Sequence, residues 1–342
     1  MTDLTDAPAR PDVPLSILDL AAVGPNESIG DSFAGSVRLA QVAERLGYQR
    51  IWYAEHHNIR SIASSATAVL IAHIAAHTET IRLGAGGVMV PNHSPLVIAE
   101  QFGTLETLHP GRIDLGLGRA PGTDQRTWMA LRRDPQASER FPQDVVELQK
   151  FLGEESPLPG IKAIPGQGTH VPLYILGSSL FGAELAAELG LPYAFASHFA
   201  PRFLHEAITL YREQFKPSRQ QSEPYVIAGV GVIAAETEES AAIQHEAARR
   251  VRARALLGRG RKLSDEDITA LLASPQAAAV DEMLAYTAIG LADQAASYLR
   301  KFAAGTEADE LMTVHYSDSV PNRLRSVELL AGALDPAGEP TG

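Results

Sequence analysis

Residues 175–179 (Ile175-Leu176-Gly177-Ser178-Ser179) close an apolar run and lead at once into a helical pattern, Phe181-Gly182-Ala183-Glu184-Leu185-Ala186-Ala187-Glu188-Leu189-Gly190. A buried strand that breaks at a glycine and two serines and passes directly into a helix aims amide N–H groups, hydroxyls and the positive end of a helix dipole at one point. That is an anion site, suited to a phosphate. The plainer reading is a helix start at which Ser178 or Ser179 is only the N-cap. Arg119 follows another strand pattern and has no aromatic or acidic sequence neighbour that accounts for it. Alone it reads as a surface charge; beside the Ser178 turn it becomes the second half of a phosphate clamp.

Histidines follow three strand patterns, at His56-His57, His198 and His315. Metal chemistry on a strand places ligands at alternate positions, because side chains alternate faces. His56 and His57 are adjacent and no Asp or Glu cluster completes a site, so no metal is expected. Gly84, Gly86 and Gly87 fall within one apolar strand pattern. Glycine weakens a strand and marks close approach of a ligand or of backbone, so Gly86-Gly87 suits a flat ring system lying against it. A bulge easing sheet curvature accounts for the pair equally well. Gly116-Leu117-Gly118 with Gly122 superficially matches a dinucleotide loop, but the spacing is one residue too long and Pro121 intrudes, so that match fails.

These residues need elements to hold them, and strand–helix units supply them. Unalternating apolar runs at 15–20, 50–54, 81–90, 112–116, 172–176, 193–197, 225–234 and 310–315 read as strands. Helical patterns follow at 33–47, 64–78, 94–108, 142–152, 180–190, 201–215, 236–256, 291–304 and 323–330. Such strands imply a parallel sheet covered by helices, and eight units favour a closed (β/α)8 TIM barrel over an open sheet. Insertions are expected after strand 4 (118–142), before strand 5 (154–171) and after helix 7 (258–290), the last with a basic cluster at Arg259, Arg261 and Lys262. One domain over 14–333 is expected between flexible ends, 1–13 and 334–342. In such a barrel the active site lies at the C-terminal ends of the strands, where the candidate residues fall.

Composition narrows the chemistry. The 342 residues carry a formal net charge of -12, leaving no basic stripe for nucleic acid. The chain has no cysteine, which excludes disulfides, thiolate metal sites and cysteine nucleophiles. No apolar run reaches membrane-spanning length and residues 1–14 lack the apolar core of a secretory signal, so a cytoplasmic protein is expected.

Taken together, four motifs resemble the bacterial-luciferase-like flavin monooxygenases. They are Trp52-Tyr53-Ala54-Glu55-His56-His57, residues 84–95 (GAGGVMVPNHSP), residues 99–119 (AEQFGTLETLHPGRIDLGLGR), and Leu176-Gly177-Ser178-Ser179 with the later Glu188-Leu189-Gly190-Leu191-Pro192. The resemblance spans about 15–330. It implies a barrel that binds FMN, with reduced FMN supplied by a separate NAD(P)H:flavin reductase. Reduced flavin and O2 would form a C4a-peroxide that oxygenates a small organic substrate, the flavin carrying the redox chemistry. His56 then matches the catalytic histidine, a proton donor or acceptor, the alternative being a histidine satisfied by Glu55 or backbone. Arg119, Gly177, Ser178 and Ser179 match the phosphate clamp. Gly86-Gly87 matches the place of a non-proline cis peptide beneath the ring. A homodimer through the early helices, near the Ala-rich stretch 64–76, is implied as well.

There are departures. Gly118 stands where luciferase proper has a cysteine near the flavin, so light emission is not implied. A related branch uses a deazaflavin for hydride transfer, and other members bind flavin with little catalysis; both remain alternatives. A barrel isomerase or aldolase acting on a phosphorylated substrate wants a lysine or carboxylate base at a strand end, and no strand end carries a lysine.

Overall fold

The structure, a computed structural model, describes residues 13–120, 123–134, 136–258 and 263–334. The expected flexible ends lie outside these residues except for Val13 and Leu334, as do Pro121, Gly122 and the basic cluster at Arg259, Arg261 and Lys262. The apolar runs form β1 (Leu15–Asp19), β2 (Arg50–Tyr53), β3 (Arg82–Met89), β4 (Ile113–Gly118), β5 (Leu173–Gly177), β6 (Tyr193–Phe195), β7 (Val226–Ala235), β8 (Thr287–Leu291) and β9 (Glu310–His315). All pairings are parallel. Strands β1 to β7 pair in sequence, and β9 joins β7 to β1, closing an eight-strand barrel with β8 outside the ring. The register Leu18–Trp52–Gly84–Asp114 runs around the inner face.

The helices are α1 (Ile29–Arg45), α2 (Thr67–Ala75), α3 (Pro95–Leu108), α4 (Gln125–Ala130), α5 (Phe141–Leu152), α6 (Leu180–Leu189), α7 (Leu204–Gln214), α8 (Glu238–Leu257), α9 (Asp265–Leu272), α10 (Ala277–Met283), α11 (Ala292–Thr306) and α12 (Val320–Leu334). Local chemistry sets their ends. Ser28 and Asp31 form a capping box at the start of α1, the Thr237 hydroxyl accepts from Ser240 N–H at the start of α8, and Gly190 at φ +61° ends α6.

Alternation divides the core. Ile17, Ile51, Leu83 and Leu115 face the helices, whereas Leu18, Trp52, Ala54, Tyr174, Ile227 and Met312 fill the barrel. Beneath them, at the N-terminal end of the strands, sits a buried polar layer. Arg50 donates to Asp114 Oδ2 at 2.8 Å, Glu310 Oε1 at 2.9 Å and the Tyr174 hydroxyl at 2.8 Å, and Arg82 also pairs with Asp114. Burial opposes the charge on Arg50, but Asp114 and Glu310 outweigh it and raise its pKa. Removing one partner from such a layer strands a buried charge, a loss of about 3–5 kcal/mol.

The region after β7 differs from the sequence reading. Residues 287–291 form a ninth strand, β8, where only the tail of an insertion was expected. The run is five residues long and pairs only with the second half of β7, too little for periodicity to distinguish. Gly231 and Val232 pair with β9 as well as β8, so β8 lies on the side of β7 that β6 vacates. The helix at 236–256 was also read as an outer crossover helix. Instead α11 packs in the outer ring against α7 and α12, while α8 packs on β7, β8, α9 and α10. Along β7, Ile227, Gly229 and Gly231 face the barrel interior. Ile233 and Ala235 continue that face beyond β6, where Ala241 and Ala248 of α8 cover it. α8 therefore overhangs the inner side of the barrel mouth.

Candidate active site

At the end of β2, Arg50, Trp52 and Ala54 face inward, and His56, three residues past the strand, is half-buried. It stands close enough to His198, after β6, for its charge to depress the His198 pKa. Glu55 turns the other way and is 1% exposed. Its Oε1 lies 2.8 Å from His57 Nε2 and accepts from Asn92 Nδ2 at 3.0 Å; its Oε2 accepts the Met89 N–H at 2.9 Å, and His93 Nε2 lies 2.9 Å from both oxygens. Burial pushes the Glu55 pKa up, and the contacts with His93, Asn92 and His57 outweigh it and hold the carboxyl below the usual glutamate range. Glu55 thus ties the end of β2 to the turn after β3.

That turn follows Gly86-Gly87, whose peptide is cis. The β3–β4 ladder shifts register between Ala85 and Val88, so the bulge is present. A Cβ on Gly86 would lie 2.7 Å from Leu18 Cδ1, and one on Gly87 2.7 Å from the Gly116 carbonyl oxygen. The barrel's own packing therefore requires both glycines, whatever ring approaches the peptide from the open side.

Across the mouth, exposed Arg119 follows β4 and places its guanidinium carbon 4.2 Å from the centroid of the Phe181 ring. Phe181 is the second residue of α6. Ser179 occupies the N-cap position of that helix, yet its side chain makes no capping bond, so the plain N-cap reading does not describe it. Ser178 and Ser179 are exposed, and the Tyr193 hydroxyl holds the turn by donating to Ser179 O at 3.1 Å. Gly177 packs on Tyr193 with a would-be Cβ 3.1 Å from its hydroxyl. The result is a cation over a ring, two exposed hydroxyls and first-turn amides that the N-cap side chain leaves uncapped.

The third wall comes from β6, β7 and β9. His198 is 8% exposed, and its Nδ1 is buried over Gly229 with no hydrogen-bond partner among the described residues. Burial, then the nearby charges of Arg252 and His56, push its pKa down to about 3. Tyr316, after β9, lies over Gly231 and donates to His198 O at 2.8 Å. Arg252 of α8 donates to the Tyr316 hydroxyl at 3.0 Å. Among the described residues, no group of three His, Cys, Asp or Glu side chains is placed to hold a metal ion.

A family model for luciferase-like monooxygenases matches residues 13–309. The chain belongs to the luciferase-like monooxygenase family. It is 44% identical to a luciferase-like monooxygenase of Escherichia coli K12 over 332 residues, covering 96% of this chain and 97% of that one. The crystal structure of apo-MsnO8 is 37% identical, with a TM-score of 0.83 over 95% of this chain and 99% of that one. Two solved structures below a quarter identity share the fold alone. One is the oxygenating constituent of 3,6-diketocamphane monooxygenase in complex with FMN (16% identity, TM-score 0.70, 95% of this chain, 99% of that one), the other an F420-dependent secondary alcohol dehydrogenase (14%, 0.69, 94%, 99%).

Within this luciferase-like barrel, the sequence-selected residues His56, Gly86, Gly87, Arg119, Gly177, Ser178 and Ser179 all fall at the C-terminal ends of the strands. In the sequence, His198 stood only among the strand-end histidines weighed for a metal, and Tyr316, next after the strand pattern at 310–315, had no role attached. Arg252 carried no signal, because its helix reads as an outer one. Three arginines within four residues of it have carboxylate partners, and only the structure shows that, among the described residues, Arg252 has none.

Proposed function

We propose that this protein is a flavin-dependent monooxygenase that takes reduced FMN and O2 and oxygenates a small organic substrate, one oxygen atom entering the product and the other leaving as water. The observation that carries the reading is Arg119 stacked on Phe181 beside the uncapped first turn of α6. Arg119, Ser178 and the amides after Ser179 would hold the phosphate, and Gly177 lets the turn sit close on Tyr193. The Gly86-Gly87 peptide, at the mouth between Arg119 and His56, would meet the ring. Reduced FMN supplies the electrons that activate O2. The chain does the rest. His56 moves a proton at the rim, Glu55 holds the β2 and β3 ends that flank it, and His198, kept neutral by burial, adds no second charge there.

A separate NAD(P)H:flavin reductase in the cytoplasm would supply the reduced cofactor. A homodimer through α2 and α3 fits their surface: Val69 is 71% and Leu108 63% exposed, and Ala66, Val69, His73 and Ala76 form one exposed stripe. The reading is tested by supplying reduced FMN from NADH and an unrelated reductase under 18O2. A monooxygenase places one labelled atom in an organic product and changes the rate of peroxide release. A protein that binds FMN but alters neither is a flavin carrier, and one that prefers F420 transfers hydride.

A further inference from the structure

We infer that Arg252 receives a carboxylate on the organic substrate, so that this protein acts on carboxylic acids. The inference rests on reading the barrel mouth as the substrate site. α8 overhangs that mouth because Ala241 and Ala248 pack on Ile233 and Ala235, which continue the inner face of β7. This puts Arg252 beside Tyr316 and His198, across from His56.

Among the described residues its charge has no carboxylate partner, and its neighbours differ in this. Arg249 pairs with Glu246 and Asp281, while Arg250 and Arg254 pair with Asp265. Among the described residues, half-buried Arg252 meets no carboxylate: Nη2 donates to the neutral Tyr316 hydroxyl, and the guanidinium carbon lies 5.1 Å from that ring. Among the described residues, Nε and Nη1 have no hydrogen-bond partner. Nη2 has a second N–H besides the one on Tyr316, and it shares an edge with either Nε–H or Nη1–H, so one planar two-donor fork remains for a bidentate anion. The partner groups suit a monoanion. His198 is neutral and the Tyr316 hydroxyl is used, so neither group that touches this corner supplies a second positive charge for a dianionic phosphate; the proposed phosphate clamp lies elsewhere, at Arg119. A chain of net charge -12 repels anions at a distance, so an acid needs a local cation to be retained.

The test compares hexanoate with hexanamide, which match in shape and differ in charge, by calorimetric titration of the FMN-loaded protein and of the protein without flavin. Hexanoate should bind about tenfold tighter or more. Arg252→Met should erase the preference and Arg252→Lys keep part of it, with FMN affinity and far-UV circular dichroism unchanged in both. Equal affinity for acid and amide, a preference that survives Arg252→Met, or no binding by any acid from propanoate to octanoate overturns the inference. An Arg252-dependent preference in a protein that fails to bind FMN leaves the carboxylate site standing and removes the flavin reading instead.

Discussion

Arg119 and Phe181 join the end of β4 to the first turn of α6 through a ring contact of 4.2 Å. The guanidinium carbon lies over the ring, and among the described residues no carboxylate pairs with this arginine. The charge-assisted contact should contribute about 1.5–3 kcal/mol to FMN binding. Arg119→Ala should therefore weaken FMN roughly ten- to a hundredfold, with riboflavin affinity nearly unchanged, as read by flavin fluorescence. Phe181→Leu should give a smaller loss in the same direction.

His56→Ala should slow product formation by about two to four orders of magnitude, the usual loss for a proton-transfer group. FMN affinity should stay within a few fold. Loss of FMN binding in that variant would assign His56 to structure. His57→Ala should be milder, because Glu55 keeps Asn92, His93 and the Met89 amide.

Acid stability should carry a histidine signature. Burial pushes His198 and His315 down to about 3, with Arg252 and His56 adding to the effect on His198 and Arg323 on His315. Both groups are neutral in folded and unfolded chains above an unfolded value near 6.5, so nothing is lost there. As pH falls below it, the unfolded chain takes up protons that the folded one refuses, and stability declines by about 1.4 kcal/mol per pH unit for each histidine. Urea unfolding at pH 7, 6 and 5 should show this slope. His315→Gln should remove about one proton of it, and an unchanged slope would contradict the burial argument.

Val69→Glu, on the exposed face of α2, should convert a dimer to monomers without loss of helicity, measured by analytical ultracentrifugation. A wild-type monomer contradicts the interface.

The eight barrel strands were legible because each is an apolar run covered on both faces, and the Ser178 turn because its glycine and serines interrupt one. Legibility failed where tertiary contacts decide. Ile233 and Ala235 read as the end of an ordinary strand, yet they carry the face that holds α8 over the mouth. Glu55 was one of two partners, with backbone, offered by the alternative reading of His56; β2 ends at Tyr53, and beyond it the Glu55 carboxylate meets His57 and His93. The glycines of β3 pointed to a ligand, and the packing of Leu18 and Gly116 against them shows that the barrel needs them too.

The most direct test of the flavin site is an anaerobic titration of the protein with reduced FMN, reduced riboflavin and reduced F420. FMN should bind at least about tenfold tighter than riboflavin, and Arg119→Ala should narrow the difference, with Ser178 and the α6 amides retaining the rest. Equal affinity for FMN and riboflavin, or tighter binding of F420 than of FMN, would contradict the FMN reading.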